Sequence, residues 1–100
     1  MASVEDVLSV AELLRRLRRA VELAAPGTWV DGEVGSLRWV TNGHAYFTLK
    51  DEAEDAVVDC VLFRGQVAAA RRHLADGARL QAFAKGTVYL RGRLQLVIDR

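Results

Sequence analysis

A run of ten residues, Asn42-Gly43-His44-Ala45-Tyr46-Phe47-Thr48-Leu49-Lys50-Asp51, constrains the fold of this chain more than any other. Asn-Gly readily takes the positive-φ conformations of a tight turn. The residues after it alternate with period two. Ala45, Phe47 and Leu49 point one way; His44, Tyr46, Thr48 and Lys50 point the other. The first set suits a core. The second carries an imidazole, a phenol, a hydroxyl and an ammonium, which can stack on a base, donate hydrogen bonds and neutralise a phosphate. Any half-exposed strand has a polar side, so a plain solvated face is the competing reading.

Ahead of this run the period is helical. Ser9-Val10-Ala11-Glu12 has the form of a capping box, and Leu13, Leu14, Leu17, Val21 and Ala24 then make one apolar stripe. Pro26-Gly27 stops it, which predicts a helix over about 10–24. Arg15, Arg16, Arg18 and Arg19 lie off the stripe, as a solvated face or a phosphate-facing patch. From Thr28 the pattern is strand-like. Residues 29–34 form a first strand, with Val30 and Val34 on one face, Trp29, Asp31 and Glu33 on the other, and a bend or bulge at Gly32. Residues 44–50 form the second and 56–63 the third, with Val58, Cys60 and Leu62 on one face. An acidic turn, 51–55, separates these two. Residues 67–74 read as a short alanine-rich helix closed by Gly77. Residues 80–90 make a fourth strand, Arg91-Gly92 a tight hairpin, and Leu94, Leu96 and Ile98 mark a fifth.

Five short strands with a helix between the third and fourth are the arrangement of an OB-fold, a small Greek-key barrel. The expected architecture is therefore mainly β. It is a five-stranded barrel over about 28–98 with an N-terminal helix, in a single domain spanning 1–100. Its expected core is Val30, Phe47, Leu49, Val58, Cys60, Leu62, Leu80 and Leu96. The chain ends at its last strand with no capping element, as expected of a piece of a longer protein.

Composition narrows the class. With 51% apolar and 27% charged residues, the chain should fold rather than stay disordered. No run approaches the ~20 apolar residues of a membrane span, and Glu5 and Asp6 argue against a secretory leader. Cys60 is the only cysteine, so an internal disulfide and a multi-cysteine zinc site are excluded, and a cytoplasmic setting fits. It reads as a small buried hydrophobe. Net charge is only +1, but the bases cluster at 15–19, at Arg64, Arg71 and Arg72, and at Arg91 and Arg93. A nearly neutral chain can still present a basic groove.

The chain resembles the N-terminal OB domain of the exodeoxyribonuclease VII large subunits over about residues 8–98. The resemblance rests on Leu8-Ser9-Val10-Ala11-Glu12-Leu13, Trp29-Val30-Asp31-Gly32-Glu33-Val34, Gly43 to Asp51, Cys60-Val61-Leu62-Phe63-Arg64, Gly77, and Tyr89 followed by Arg91-Gly92. It departs from the family at Ala45 and Leu94, where aromatics are common, and in a hairpin about one residue shorter. The resemblance implies a domain that holds single-stranded DNA for an enzyme that degrades it. The catalytic domain would lie C-terminal to this chain and a small subunit would bind elsewhere.

Single-strand binding needs cations along the backbone and flat groups under the bases. The candidates are His44 and Tyr46 for stacking, Lys50 and Arg64 for phosphate, Arg38 and Trp39 in the connection before the second strand, and Tyr89 and Arg91 at the hairpin. Trp39 is equally readable as an apolar plug. Trp29 reads as packing against the N-terminal helix; Phe47, Phe63 and Phe83 read as core or helix-facing. No metal, cofactor or catalytic residue is expected: His44 and His73 are far apart, and there is neither a phosphate-cradling glycine loop nor a Ser-His-Asp set. The alternative function is an OB domain for protein docking or for RNA or tRNA.

Overall fold

The computed structural model describes residues 7–99, apart from the side chains at 68 and 69; the ends of the expected 1–100 domain lie outside the described residues. The elements run α1 (Val10–Ala24), β1 (Thr28–Trp39), β2 (Ala45–Lys50), β3 (Val57–Leu62), α2 (Arg64–Ala70), a 3-10 turn (Arg71–His73), β4 (Arg79–Val88) and β5 (Leu94–Ile98). The strands close a barrel in the order β1-β2-β3-β5-β4, the five-stranded barrel expected from the sequence. All pairings are antiparallel except β3 with β5, where Cys60 meets Leu96 and Val61 meets Val97.

The alternation in β2 decides what lies inside. Ala45, Phe47 and Leu49 are buried, together with Val34, Cys60, Leu62, Ala82, Ala84 and Ile98, and Val67 and Leu74 close one end beneath α2. Burying a side chain such as Phe47 contributes about 1.5–3 kcal/mol. Four of the expected core residues, Val30, Val58, Leu80 and Leu96, are only half-buried and pack against this cluster from its edge.

The first strand is longer than the sequence suggested. It runs on through Gly35 to Trp39, so Arg38 and Trp39 belong to β1 rather than to a loop. No bulge falls at Gly32, which keeps its register with Leu80; there β1 passes close to β2, and a Cβ would stand 3.1 Å from the Leu49 Cβ and 3.2 Å from the Lys50 carbonyl. The irregularity falls between Gly35 and Arg38, with Ser36 at φ 51°. The Asp76 carboxylate accepts from the Leu37 amide there at 2.9 Å, which pins the deformed segment to the α2–β4 linker.

Helix α1 occupies the predicted span, and the Ser9 hydroxyl accepts from the Glu12 amide at 3.1 Å, as a capping residue should. It lies on β4 through its C-terminal half. The Ala25 carbonyl accepts from the Gly86 amide at 2.9 Å, the Arg18 Nε donates to the Val88 carbonyl at 2.7 Å, and the Thr87 hydroxyl lies 3.2 Å from the Glu22 carboxylate. Glycine at 86 permits this approach, since a Cβ there would stand 3.0 Å from Val21 Cγ1 and 3.1 Å from Ala25 Cβ. Trp29, expected against the helix, stands on the outer face of β1 and is 60% exposed. Its register partner is Phe83, and the two rings meet edge to face at 5.3 Å. The helix rests farther along β4, so it does not cover the indole. Phe47 is buried as expected, whereas Phe63 is exposed.

Candidate nucleic-acid interface

The barrel's outer face carries the residues that alternate with the core. One row of register partners crosses all five strands: Arg38 opposite Tyr46, Tyr46 opposite Val61, Val61 opposite Val97, and Val97 opposite Lys85. A cation stands at each end, an aromatic ring comes second, and valines fill the middle. Val61 is only 1% exposed despite pointing outward, so it forms a floor rather than a contact.

The Arg38 guanidinium carbon lies 5.8 Å from the centroid of the Tyr46 ring, within cation–π range. These two side chains line a groove of about 580 Å³ with Ser36, Thr48, Asp59, Arg93 and Gln95. The groove thus offers a ring to stack on, two guanidinium forks for phosphate or base edges, and hydroxyl and amide groups for hydrogen bonds. Asp59 is its carboxylate. Next to it the β4–β5 hairpin forms a depression walled by Tyr89, Arg91, Arg93, Leu94 and Gln95. The hairpin is fixed by the Gly92 amide donating to the Tyr89 carbonyl at 2.8 Å, with Gly92 at φ 85°.

The structure separates the other sequence candidates from this groove. The His44 Nδ1 accepts from the Arg64 amide at 2.8 Å, and its ring meets Phe63 edge to face at 5.1 Å. That ring therefore fastens the entry of β2 to the start of α2. Arg64 is the first residue of α2, and its stem packs over Gly43, where φ is 90°. Trp39 pairs with Ala45, whose side chain points into the barrel, so the indole lies on the opposite side of β1 from Arg38. Arg71 covers it at 4.8 Å, and it remains 41% exposed. The indole is thus neither a buried plug nor a wall of the groove. Lys50 stands opposite Glu33, at the mouth of the acidic β2–β3 turn. In that turn the Asp51 carboxylate accepts from the Ala53 and Glu54 amides, both at 3.0 Å. These backbone hydrogen bonds hold its pKa below the usual carboxylate value.

Thr48 lies in the groove on the face that alternation gave it, whereas Ser36, Asp59, Arg93 and Gln95 were missed as groove residues. Gln95 could have been found by alternation alone, and Arg93 by its place in a basic cluster. Ser36 and Asp59 required the barrel's register. Among the described residues no cluster of three or more histidines, cysteines or acids could hold a metal ion. Cys60 is buried in the barrel, and desolvation, with Asp59 nearby, pushes its thiol up to about 12.

Comparison with known proteins agrees with the five-stranded barrel. Residues 8–100 match the family described as OB-fold nucleic acid binding domain. The exodeoxyribonuclease 7 large subunit of Pseudomonas savastanoi pv. phaseolicola is 42% identical over 97 residues, covering 94% of this chain and 20% of that protein. That of Stutzerimonas stutzeri is 39% identical over 95 residues, with the same coverage. The chain therefore spans one fifth of the length of these relatives. Among solved structures, the mitochondrial single-stranded DNA binding protein Rim1 of S. cerevisiae superposes with a TM-score of 0.61 at 16% identity, over 76% of this chain and 91% of that one. The SSB domain of a Synechococcus sp. protein gives 0.59 at 10% identity, over 74% and 90%. At such identities these two show the fold alone. By the family match and the sequence relationship together, the chain belongs to the OB-fold nucleic acid binding domains and is similar to the N-terminal region of the exodeoxyribonuclease 7 large subunits.

Proposed function

We propose that this domain holds single-stranded DNA across its outer face, as part of a large subunit of the exodeoxyribonuclease VII type. The observation that carries this reading is the Arg38–Tyr46 pair in a groove that also receives Arg93. A ring stacks on any base, and guanidinium groups follow a backbone, so sequence preference is slight. The whole enzyme degrades single-stranded DNA. In this reading its catalytic residues and its small-subunit contact lie outside this chain, which covers one fifth of the length of the relatives. The domain holds the strand and does not cut it. Among the described residues no helix is long and apolar enough to cross a membrane.

Titration of the domain into a fluorescent oligonucleotide at several salt concentrations tests this. The affinity should fall steeply with salt as counterions are released. Salt-independent binding, or none, would overturn the reading and favour apolar docking to a protein. A steep fall with structured RNA but not with single-stranded DNA would instead favour the RNA or tRNA alternative.

A further inference from the structure

The outer face holds more than one groove. A second, of about 500 Å³, runs between α1 and β4, walled by Arg18, Ala25, Phe63, Lys85, Tyr89 and Val97. The hairpin depression joins the two. It shares Asp59, Arg93 and Gln95 with the first groove and Tyr89 with the second. The connected path is lined by the cations Arg38, Arg93, Arg91, Lys85 and Arg18, against the carboxylates Asp59 and Glu22. This excess of positive charge is greater than that of the whole chain, whose net charge is +1. The acids of the β2–β3 turn do not line it. Rings recur along it at Tyr46, Tyr89 and Phe63, the last two partly exposed.

We infer that a strand crossing the first groove turns at the β4–β5 hairpin and continues along β4 beside α1, so that Lys85 and Tyr89 belong to the footprint. The inference rests on the proposed reading of the first groove and extends it. The first groove spans three interstrand steps, from β1 to β5, or about 14 Å at ~4.8 Å each. From Tyr89 to Lys85 the second adds four residues of strand, about 14 Å at ~3.4 Å each. The path is thus roughly doubled. Alternating cations and rings suit a sugar–phosphate chain with bases, whereas an apolar peptide would leave five cations desolvated. Helix α1 gains a purpose here, since without it β4 would present an open edge of the path rather than a walled channel.

Two thymidylate oligomers decide it, one near the short end and one near the long end of the roughly 4–16 nucleotides that an OB-fold takes up. Wild-type affinity should rise with length. Lys85→Gln should weaken the long oligomer and lower its salt slope by about one, while leaving the short one unchanged. Lys85→Glu should act in the same sense and more strongly. Arg38→Ala should weaken both lengths, because every strand uses the first groove. If the Lys85 variants bind the long oligomer like wild type, or lose equally on both lengths, the second groove is not part of the path. If Arg38→Ala changes neither length, the reading of the first groove itself fails. Lys85 is exposed on the barrel's outer face, so neither of its replacements disturbs the core.

Discussion

The Arg38 guanidinium carbon sits 5.8 Å from the centroid of the Tyr46 ring, on adjacent strands and in direct register. Cross-strand pairing sets this contact, so the cation is held ready beside the stacking surface before any ligand arrives. Tyr46→Ala should cost about 1–3 kcal/mol of single-strand binding if one base stacks there. With a net charge of only +1, total affinity should be micromolar or weaker, roughly −8 kcal/mol or smaller in magnitude. Fluorescence titration gives the affinities. Amide shifts followed residue by residue should concentrate near residues 38, 46, 59 and 93–95; shifts confined to the arginine face of α1 would refute the assignment.

A second expectation concerns Gly86. Its missing side chain lets α1 lie on β4, with Val21 and Ala25 within 3.0–3.1 Å of where a Cβ would be. A β-branched residue has no room between them. Gly86→Val should destabilise the domain by about 1–3 kcal/mol, the usual cost of overpacking, read as a lower urea midpoint. The Gly86–Ala25 backbone hydrogen bond would be strained as the helix lifted, so protection of the Gly86 amide from hydrogen exchange should fall as well.

Cys60 provides a pH test. Its thiol is held up to about 12 in the fold by burial, against 9.0 for the ordinary group. Below pH 9 both states are protonated and the thiol adds no pH dependence. Between 9 and 12 the unfolded chain releases a proton that the folded one keeps, so stability should decline across that window. At neutral pH the folded domain should resist a maleimide reagent and react once unfolded by urea. Rapid labelling of the native domain would contradict the placement of Cys60 between Phe47 and Leu96.

The barrel was legible in the sequence because period and burial coincide in β2. Phe47 and Leu49 admit only one inward register, and Ser9 with Pro26-Gly27 delimits α1. Other features depended on contacts distant in sequence. Nothing near Ser36 announces a strand that continues through a deformed segment, because the support comes from Asp76, 39 positions away. Trp39 could not be assigned for the same reason: its side of β1 is set by the register with Ala45, and its covering cation, Arg71, follows α2. His44 looked like a ligand group because its bond to the Arg64 amide spans 20 positions. Alternation predicts which way a side chain points but not what it meets there.

That distinction separates two cations, Lys50 and Arg93. By alternation Lys50 shares a face with Tyr46, which made it the natural phosphate ligand. In the structure it stands opposite Glu33 and beside the turn that carries Asp51, Glu52, Glu54 and Asp55, and it does not line the groove. Part of the local acidity is already neutralised: Arg79 bridges Asp31 and Glu52, each at 2.9 Å. The remaining acids lower the potential around Lys50, and an incoming phosphate would be repelled by them as it approached. Arg93, by contrast, lines both the groove and the hairpin depression, where Asp59 is the one carboxylate among the described residues. Arg93→Ala should therefore lower the salt slope of single-strand binding by about one, the signature of one lost phosphate contact, and should do so for every sequence tested. Lys50→Ala should change it by much less. Neutralising the turn with Glu54→Gln should strengthen binding slightly at low salt and leave it unchanged at high salt, because an exposed charge acts only within a Debye length of about 10 Å at 0.1 M. The comparison is a salt titration of the three variants on one oligonucleotide. A larger loss for Lys50→Ala than for Arg93→Ala would move the strand off the groove and toward the β2–β3 turn.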